Sequence, residues 1–210
     1  MEINQDWFEK IRNRAISSVW YPQRIIPPIV RSSYSQSGED SIIKQVLGRT
    51  PQLYVDIGCG HPIEGSNTYR FYREKSRGIC IDANSKFRFA CKLIRPRDLF
   101  IHGGVNLYNQ EVANFYRFVE DVYSTFDSER AKNLMERGLV LASIESVRQV
   151  NLRELIGSFL RTRDQRSIDL LSVDVEGLDF LVIKNFPFEI TIPSVICVEE
   201  WKVQLQITQN

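Results

Sequence analysis

Short apolar runs alternating with amphipathic stretches, glycine turns at the ends of those runs, and the absence of repeats or low-complexity tracts predict an α/β fold. Strands joined through helices form a mostly parallel sheet with helices on both faces, because a parallel pair cannot be closed by a tight hairpin. The chain's 210 residues suffice for one self-supporting core without disulfides or structural metal. An apolar fraction of 43% with 25% charged residues excludes disordered, coiled-coil and collagen-like classes.

The elements follow in order. Residues 1–33 read as an N-terminal helical arm: in WFEKIRNRAISSVW, Trp7, Phe8, Ile11, Ala15, Ile16, Val19 and Trp20 recur at helical spacing, and Lys10, Arg12 and Arg14 take the other face. Pro22 ends that helix and Pro27-Pro28 keeps the next stretch extended. The arm either packs on the domain's flank or acts as a lid or dimerisation arm. LYVDIG (53–58) reads as a buried strand, SNTYRFYREK (66–75) as a helix and GICIDA (78–83) as a second strand. SKFRFACKLIR (85–95) places Phe87, Cys91 and Ile94 on one helical face, and LFIHGGV (99–105) is a third strand. A β-rich insertion spans about 105–150: VANFYRFV alternates with strand period, FDSERAKNLMERG is a helix ending at Gly138, and ASIESVRQV is another strand. Asn151 caps LRELIGSFL; IDLLSVDV (168–175) and PSVICVEE (193–200) are the last strands, with a short helix between them.

Charge and cysteine usage bound the function. With 27 Lys+Arg against 26 Asp+Glu, global charge does not draw this protein to nucleic acid. No apolar run approaches a membrane span, and MEINQDWFEK carries three acids where a signal peptide needs an apolar stretch, so a cytoplasmic location is expected. Cys59, Cys80, Cys91 and Cys197 form no C-x-x-C pair; Cys80, Cys91 and Cys197 sit among apolar residues and read as buried free thiols, whereas Cys59, in the glycine turn, reads as a small residue tolerated near a ligand.

In an open parallel sheet, ligands bind outside the carboxyl ends of the strands. The first strand ends in VDIGCG, whose Gly58 and Gly60 allow a sharp turn and close approach to a ligand. The second ends in IDAN, where Asp82 suits a carboxylate that takes both hydroxyls of a ribose. Gly58, Gly60 and Gly65 depart from the dinucleotide spacing G-x-G-x-x-G, which disfavours an NAD-dependent oxidoreductase. Asp56 would repel a diphosphate but attract the ammonium of S-adenosylmethionine, directly or through water.

YSQSGEDSII (34–43), YVDIGCGHPIEGSNTYRFY (54–72), GICIDAN (78–84), STFDSE (124–129), LLSVDVEGLDFLVIKN (170–185) and VICVEEW resemble the FkbM-type S-adenosylmethionine-dependent methyltransferases, motifs in order. The resemblance implies a Rossmann-like class I methyltransferase domain over 34–210. It also implies cofactor contacts at Asp56, Gly58, Gly60 and Asp82, with Ala83 and Asn84 beside them, and methylation of a hydroxyl on a sugar, glycan or secondary metabolite. Two departures stand out: the turn HPIEGSNT is long, and so few residues follow VICVEE that the last strand pair is missing or reduced to VQLQIT (203–208). An unpaired sheet edge would follow, and with it a homo-oligomer or a chain cut short.

In SVDVEG a strand period puts Ser172, Asp174 and Glu176 on one side, making Asp174 or Glu176 the general base for an acceptor oxygen, with Glu199 and Glu200 nearby. The same acids could instead hold Mg²⁺. His61 in the first turn is an alternative base, and His102 is expected to line the adenine pocket. Ser37 with Asp40 gives an S-x-x-D helix start, while the resemblance makes Gln36 and Glu39 contacts to the cofactor's tail. Lys86, Arg88, Lys92, Arg95 and Arg97 form either a solvated helix face or a patch that steers an anionic acceptor. The remaining alternative is a non-catalytic nucleoside-binding or partner subunit.

Overall fold

A computed structural model describes residues 33–165 and 167–198 together with the strand Ala15–Ser17. The strands are β1 (Ala15–Ser17), β2 (Leu53–Ile57), β3 (Arg77–Asp82), β4 (Leu99–His102), β5 (Gly104–Val105), β6 (Val112–Phe118), β7 (Leu141–Val150), β8 (Leu170–Val173) and β9 (Val195–Val198). The helices are α1 (Glu39–Leu47), α2 (Tyr69–Arg73), α3 (Phe87–Ile94), α4 (Ser128–Glu136), α5 (Leu152–Arg161) and α6 (Asp179–Lys184). One parallel sheet runs in the order β1-β9-β8-β2-β3-β4, and a second runs β5-β7-β6 with β6 antiparallel to β7. The expected parallel α/β sheet and its β-rich insertion are therefore present.

The sheet's two faces follow the period of two along each strand. Leu53, Val55 and Ile57 of β2 join Ile79, Ile81, Leu171, Val173 and Ile196 in an aliphatic core beneath Ile156 and Phe159 of α5 and Val182 of α6. The alternate positions, Tyr54, Cys80, Leu170, Val195 and Cys197, pack with Ile43, Phe71, Tyr72 and Cys91 on the other side. All four cysteines are free and buried.

Several elements differ from their expected form. The helix expected through 7–20 lies outside the described residues except at Ala15–Ser17, which run as a strand parallel to β9. That strand takes the far side of β9, so the unpaired edge behind the expected homo-oligomer is covered by the same chain at those residues. VQLQIT lies outside the described residues. The run 99–105 splits: Gly103 N–H bonds back to Asp82 O at 2.9 Å, and the chain leaves the main sheet there to enter the second one. The helix expected over 66–75 shrinks to Tyr69–Arg73, because the Ser66 hydroxyl takes the amides of Thr68 and Tyr69 before it.

The S-x-x-D start is also built differently. Gly38 is the residue before α1, the Ser37 amide donates to Glu39, and Ser35 Oγ accepts the Asp40 amide while Asp40 accepts that of Tyr34. Among the described residues no helix is long and apolar enough to cross a membrane.

Candidate active site

A cavity of about 1180 Å³ opens at the carboxyl ends of β2, β3 and β8 and is closed by the inserted layer. Its size exceeds the roughly 300–1,000 Å³ of a pocket for one small ligand, so two molecules can meet in it. Gly58, Gly60, Asp82–Asn84 and Asp174–Leu178 line it from the strand tips, and Tyr108, Phe115, Tyr116, Tyr123 and Phe126 line it from the insertion.

The turn after β2 is fixed by contact with β8. Gly58 has φ 78°, and a Cβ there would lie 1.7 Å from the carbonyl oxygen of Asp174. Any side chain would push the two strand tips apart. The amides of Gly58 and Cys59 both donate to Ile81 O, at 2.8 and 3.2 Å, which draws the turn over the end of β3. There Asp82 accepts the Gly60 amide on one carboxylate oxygen and the Asn84 amide on the other, each at 2.7 Å. Burial pushes the Asp82 carboxyl up to about 6, against the pull of those two amides. Its oxygens keep acceptor capacity toward the cavity, as recognition of a vicinal diol requires.

The family of the chain can be read against this geometry. The model of the methyltransferase FkbM domain matches residues 56–207, well over half of the chain. This chain belongs to the FkbM methyltransferase family. No curated protein matches it.

In this FkbM methyltransferase, Gly58, Gly60, Asp82, Ala83, Asn84, His61, Asp174 and Glu176 all line one cavity, as does Gln36. Asp56, Glu39 and His102 do not. Asp56 is buried, with Thr68 Oγ1 donating to it at 2.5 Å. Burial raises its carboxyl from the usual range, opposed by the charge of Arg95 and by hydroxyl contacts from Thr68 and Ser172. The carboxylate thus holds the segment after the glycine turn. Glu39 accepts the Ser37 amide at 2.8 Å. His102 Nε2 donates to Ala83 O at 2.9 Å, tying β4 to the residue after β3.

His61 lines the cavity but is badly set up as a base. Its Nδ1 accepts the amides of Ile63 and Glu64, at 3.3 and 3.0 Å. A neutral ring in that state carries its proton on Nε2 and has no lone pair left for an acceptor. Glu176 departs from expectation too: β8 ends at Val173, so the period of two does not carry through to residue 176, which has φ 54°. Its carboxylate pairs with Arg130 at 2.5 Å, and its carbonyl accepts from Thr125. Among the described residues no three His, Cys, Asp or Glu side chains could hold a metal ion, so the Mg²⁺ reading finds no support there. Glu199 and Glu200 lie outside the described residues.

Two buried charged groups that the sequence did not reveal hold segments next to the strand tips. Asp179 is buried and accepts the amides of Val175 and Gly177, at 3.0 and 3.1 Å, which holds the loop after β8 in shape. Burial raises its carboxyl. Arg95 belongs to no solvated face: it is 2% exposed and pairs with the equally buried Asp98 at 2.8 Å. The same guanidinium donates to Tyr54, Thr68 and Ser66, at 3.0, 2.8 and 3.2 Å. Arg97 lies 3.9 Å over the Tyr72 ring and donates to its carbonyl, while Lys86 pairs with Asp121 at 2.5 Å. None of the five bases from 86 to 97 lines the cavity, so they form no patch there to steer an anion. The spacing Arg95-x-x-Asp98 was the only sequence signal for that pair.

Proposed function

We propose that this methyltransferase uses S-adenosylmethionine to methylate a hydroxyl oxygen of a sugar, glycan or secondary metabolite. The observation that carries the reading is Asp82, a buried carboxylate at a strand tip, clamped by the Gly60 and Asn84 amides and facing a two-molecule cavity. Asp82 would take the ribose hydroxyls, and Ala83, Asn84 and Gly103 border the space beside it. Gly58 and Gly60 would admit the ligand close to the main chain, and Gln36 also lines the cavity.

S-adenosylmethionine, when bound, supplies a methyl group already activated on sulfur. The chain's own residues then have to align an acceptor oxygen and remove its proton. Asp174 is the assigned base: it lines the cavity, and its amide is fixed to Ile57 O at 2.9 Å, which ties its position to the glycine turn. Glu176 would have to surrender its Arg130 ion pair to act. Its role is to shape the acceptor side. Four free, buried thiols support a reducing, cytoplasmic setting for the reaction.

Thermal unfolding tests the reading. S-adenosylhomocysteine at about 100 times its dissociation constant should add about 2.7 kcal/mol of stability, and NAD should add none. A labelled-methyl screen on wild type and Asp174→Asn then assigns the base. Unchanged turnover in the variant, with binding intact, removes Asp174 from the mechanism.

A further inference from the structure

Helix α3 carries apolar residues on both its inner and its outer side. Phe87 and Cys91, four positions apart, turn inward and pack with the core on that face of the sheet. Phe89 and Leu93, also four apart, turn outward: at 77% and 69% they are the two most exposed large apolar side chains among the described residues. Single exposed apolar residues are ordinary, but two adjoining ones on one helix face form a patch that favours leaving water. Arg88 and Lys92 are exposed as well, and the same spacing places them in the row beside Phe89 and Leu93. Lys86, at the start of the helix, is held by Asp121. The sequence has no acid from residue 83 to residue 97, so no carboxylate of α3 offsets its bases.

This composition decides between occupants. An eight-residue helix is only about 12 Å long, and its outer side falls short of the roughly 800 Å² per partner that a stable protein interface buries. A bilayer asks for less: an aromatic and an aliphatic side chain to enter the headgroup boundary, and cations beside them to meet lipid phosphates. We propose that the outer face of α3 docks on an anionic lipid surface, with Phe89 and Leu93 inserted and Arg88 and Lys92 facing the phosphates. Phe87 lines the cavity from the inner side of the same helix, so docking sets that cavity beside the bilayer.

Cosedimentation of the full chain with lipid vesicles tests the proposal. At low salt, phosphatidylcholine vesicles with about 30% phosphatidylglycerol should bind the chain, and phosphatidylcholine alone should bind it about tenfold or more weakly. Phe89→Ala with Leu93→Ala keeps helix propensity and should weaken binding about tenfold or more at an unchanged melting temperature. Arg88→Gln with Lys92→Gln should weaken it by a similar factor and flatten its dependence on salt. Phe180→Ala, at a residue 65% exposed on α6 against the other face of the sheet, should change nothing. Equal binding to the two kinds of vesicle, or equal binding by the wild type and the Phe89→Ala, Leu93→Ala variant, overturns the proposal. So does a dimer in lipid-free sedimentation velocity that this variant abolishes, because the patch would then belong to a second copy of the chain. Vesicle binding needs no cofactor, so its outcome leaves the methyl-transfer reading to its own test.

Discussion

The two faces of the parallel sheet are built with different chemistry. One face is aliphatic: Leu53, Val55, Ile57, Ile79, Ile81, Leu171 and Val173 under α5 and α6. The other carries Tyr54, Asp56 and Ser172 in the alternate positions, beneath Arg95, Asp98 and Thr68. Aliphatic packing is non-directional and tolerates small shifts, whereas a buried ion network holds its members at fixed distances. The network lies under the segment that follows the glycine turn, and its hydroxyl partners, Ser66 and Thr68, belong to that segment. One face supplies cohesion; the other sets the position of the segment after the glycine turn.

The comparison can be broken in several ways, the largest effect first. Gly58→Ala would force a methyl into the Asp174 carbonyl and should abolish folding or cofactor binding, read by circular dichroism and calorimetry. Arg95→Ala strands Asp98 and Asp56 in the interior and should cost about 3–5 kcal/mol in chemical denaturation. In a folded variant such as Arg95→Lys, S-adenosylhomocysteine affinity should fall by more than stability alone explains. Leu171→Ala, on the aliphatic face, should cost about 2–5 kcal/mol and leave the affinity of the remaining folded protein unchanged. Were Leu171→Ala to weaken binding as much as Arg95→Lys, the division of labour between the faces would be wrong. At the small end, Lys86→Ala removes a pair whose lysine is 63% exposed and should change stability by less than about 1 kcal/mol.

Protons offer a further test. Asp82, raised to about 6 by burial, favours its neutral form in the folded chain more than in the unfolded one. For this group the folded state binds more protons between its unfolded value, about 3.9, and 6. Its contribution therefore makes the fold more stable, not less, as pH falls through that window. Ribose recognition needs the carboxylate, so affinity for S-adenosylhomocysteine should drop about tenfold per unit below pH 6. Calorimetric titrations from pH 5 to 8 would show this, and a flat profile would remove Asp82 from the ligand.

Much of the fold was legible because burial on both faces writes a continuous apolar run. LYVDI, GICID and LLSV all became central strands at those positions. The glycine turn and Asp82 could be read because a strand tip is a local feature. Asp56, His61 and His102 were harder, since a polar side chain's role depends on which partner the fold brings to it. Asp56 met Thr68, His61 met two amides of its own turn, and His102 met Ala83. Arg95 looked like one of five surface bases, and only the packing of α3 against Tyr54 and Tyr72 explains its burial. The strand Ala15–Ser17 carries apolar residues that fit a helical period equally well, and pairing with β9 decides its form.

Isothermal titration of S-adenosylhomocysteine into wild type and Asp82→Asn at pH 7.5, with matched melting curves, bears most directly on the cofactor site. Saturable one-to-one binding by wild type, weakened about a hundredfold or more in a variant that melts like the parent, is the predicted result; two lost charge-assisted hydrogen bonds of about 1.5–3 kcal/mol each set that scale. Equal affinity in the two proteins, or no binding by wild type, would contradict it.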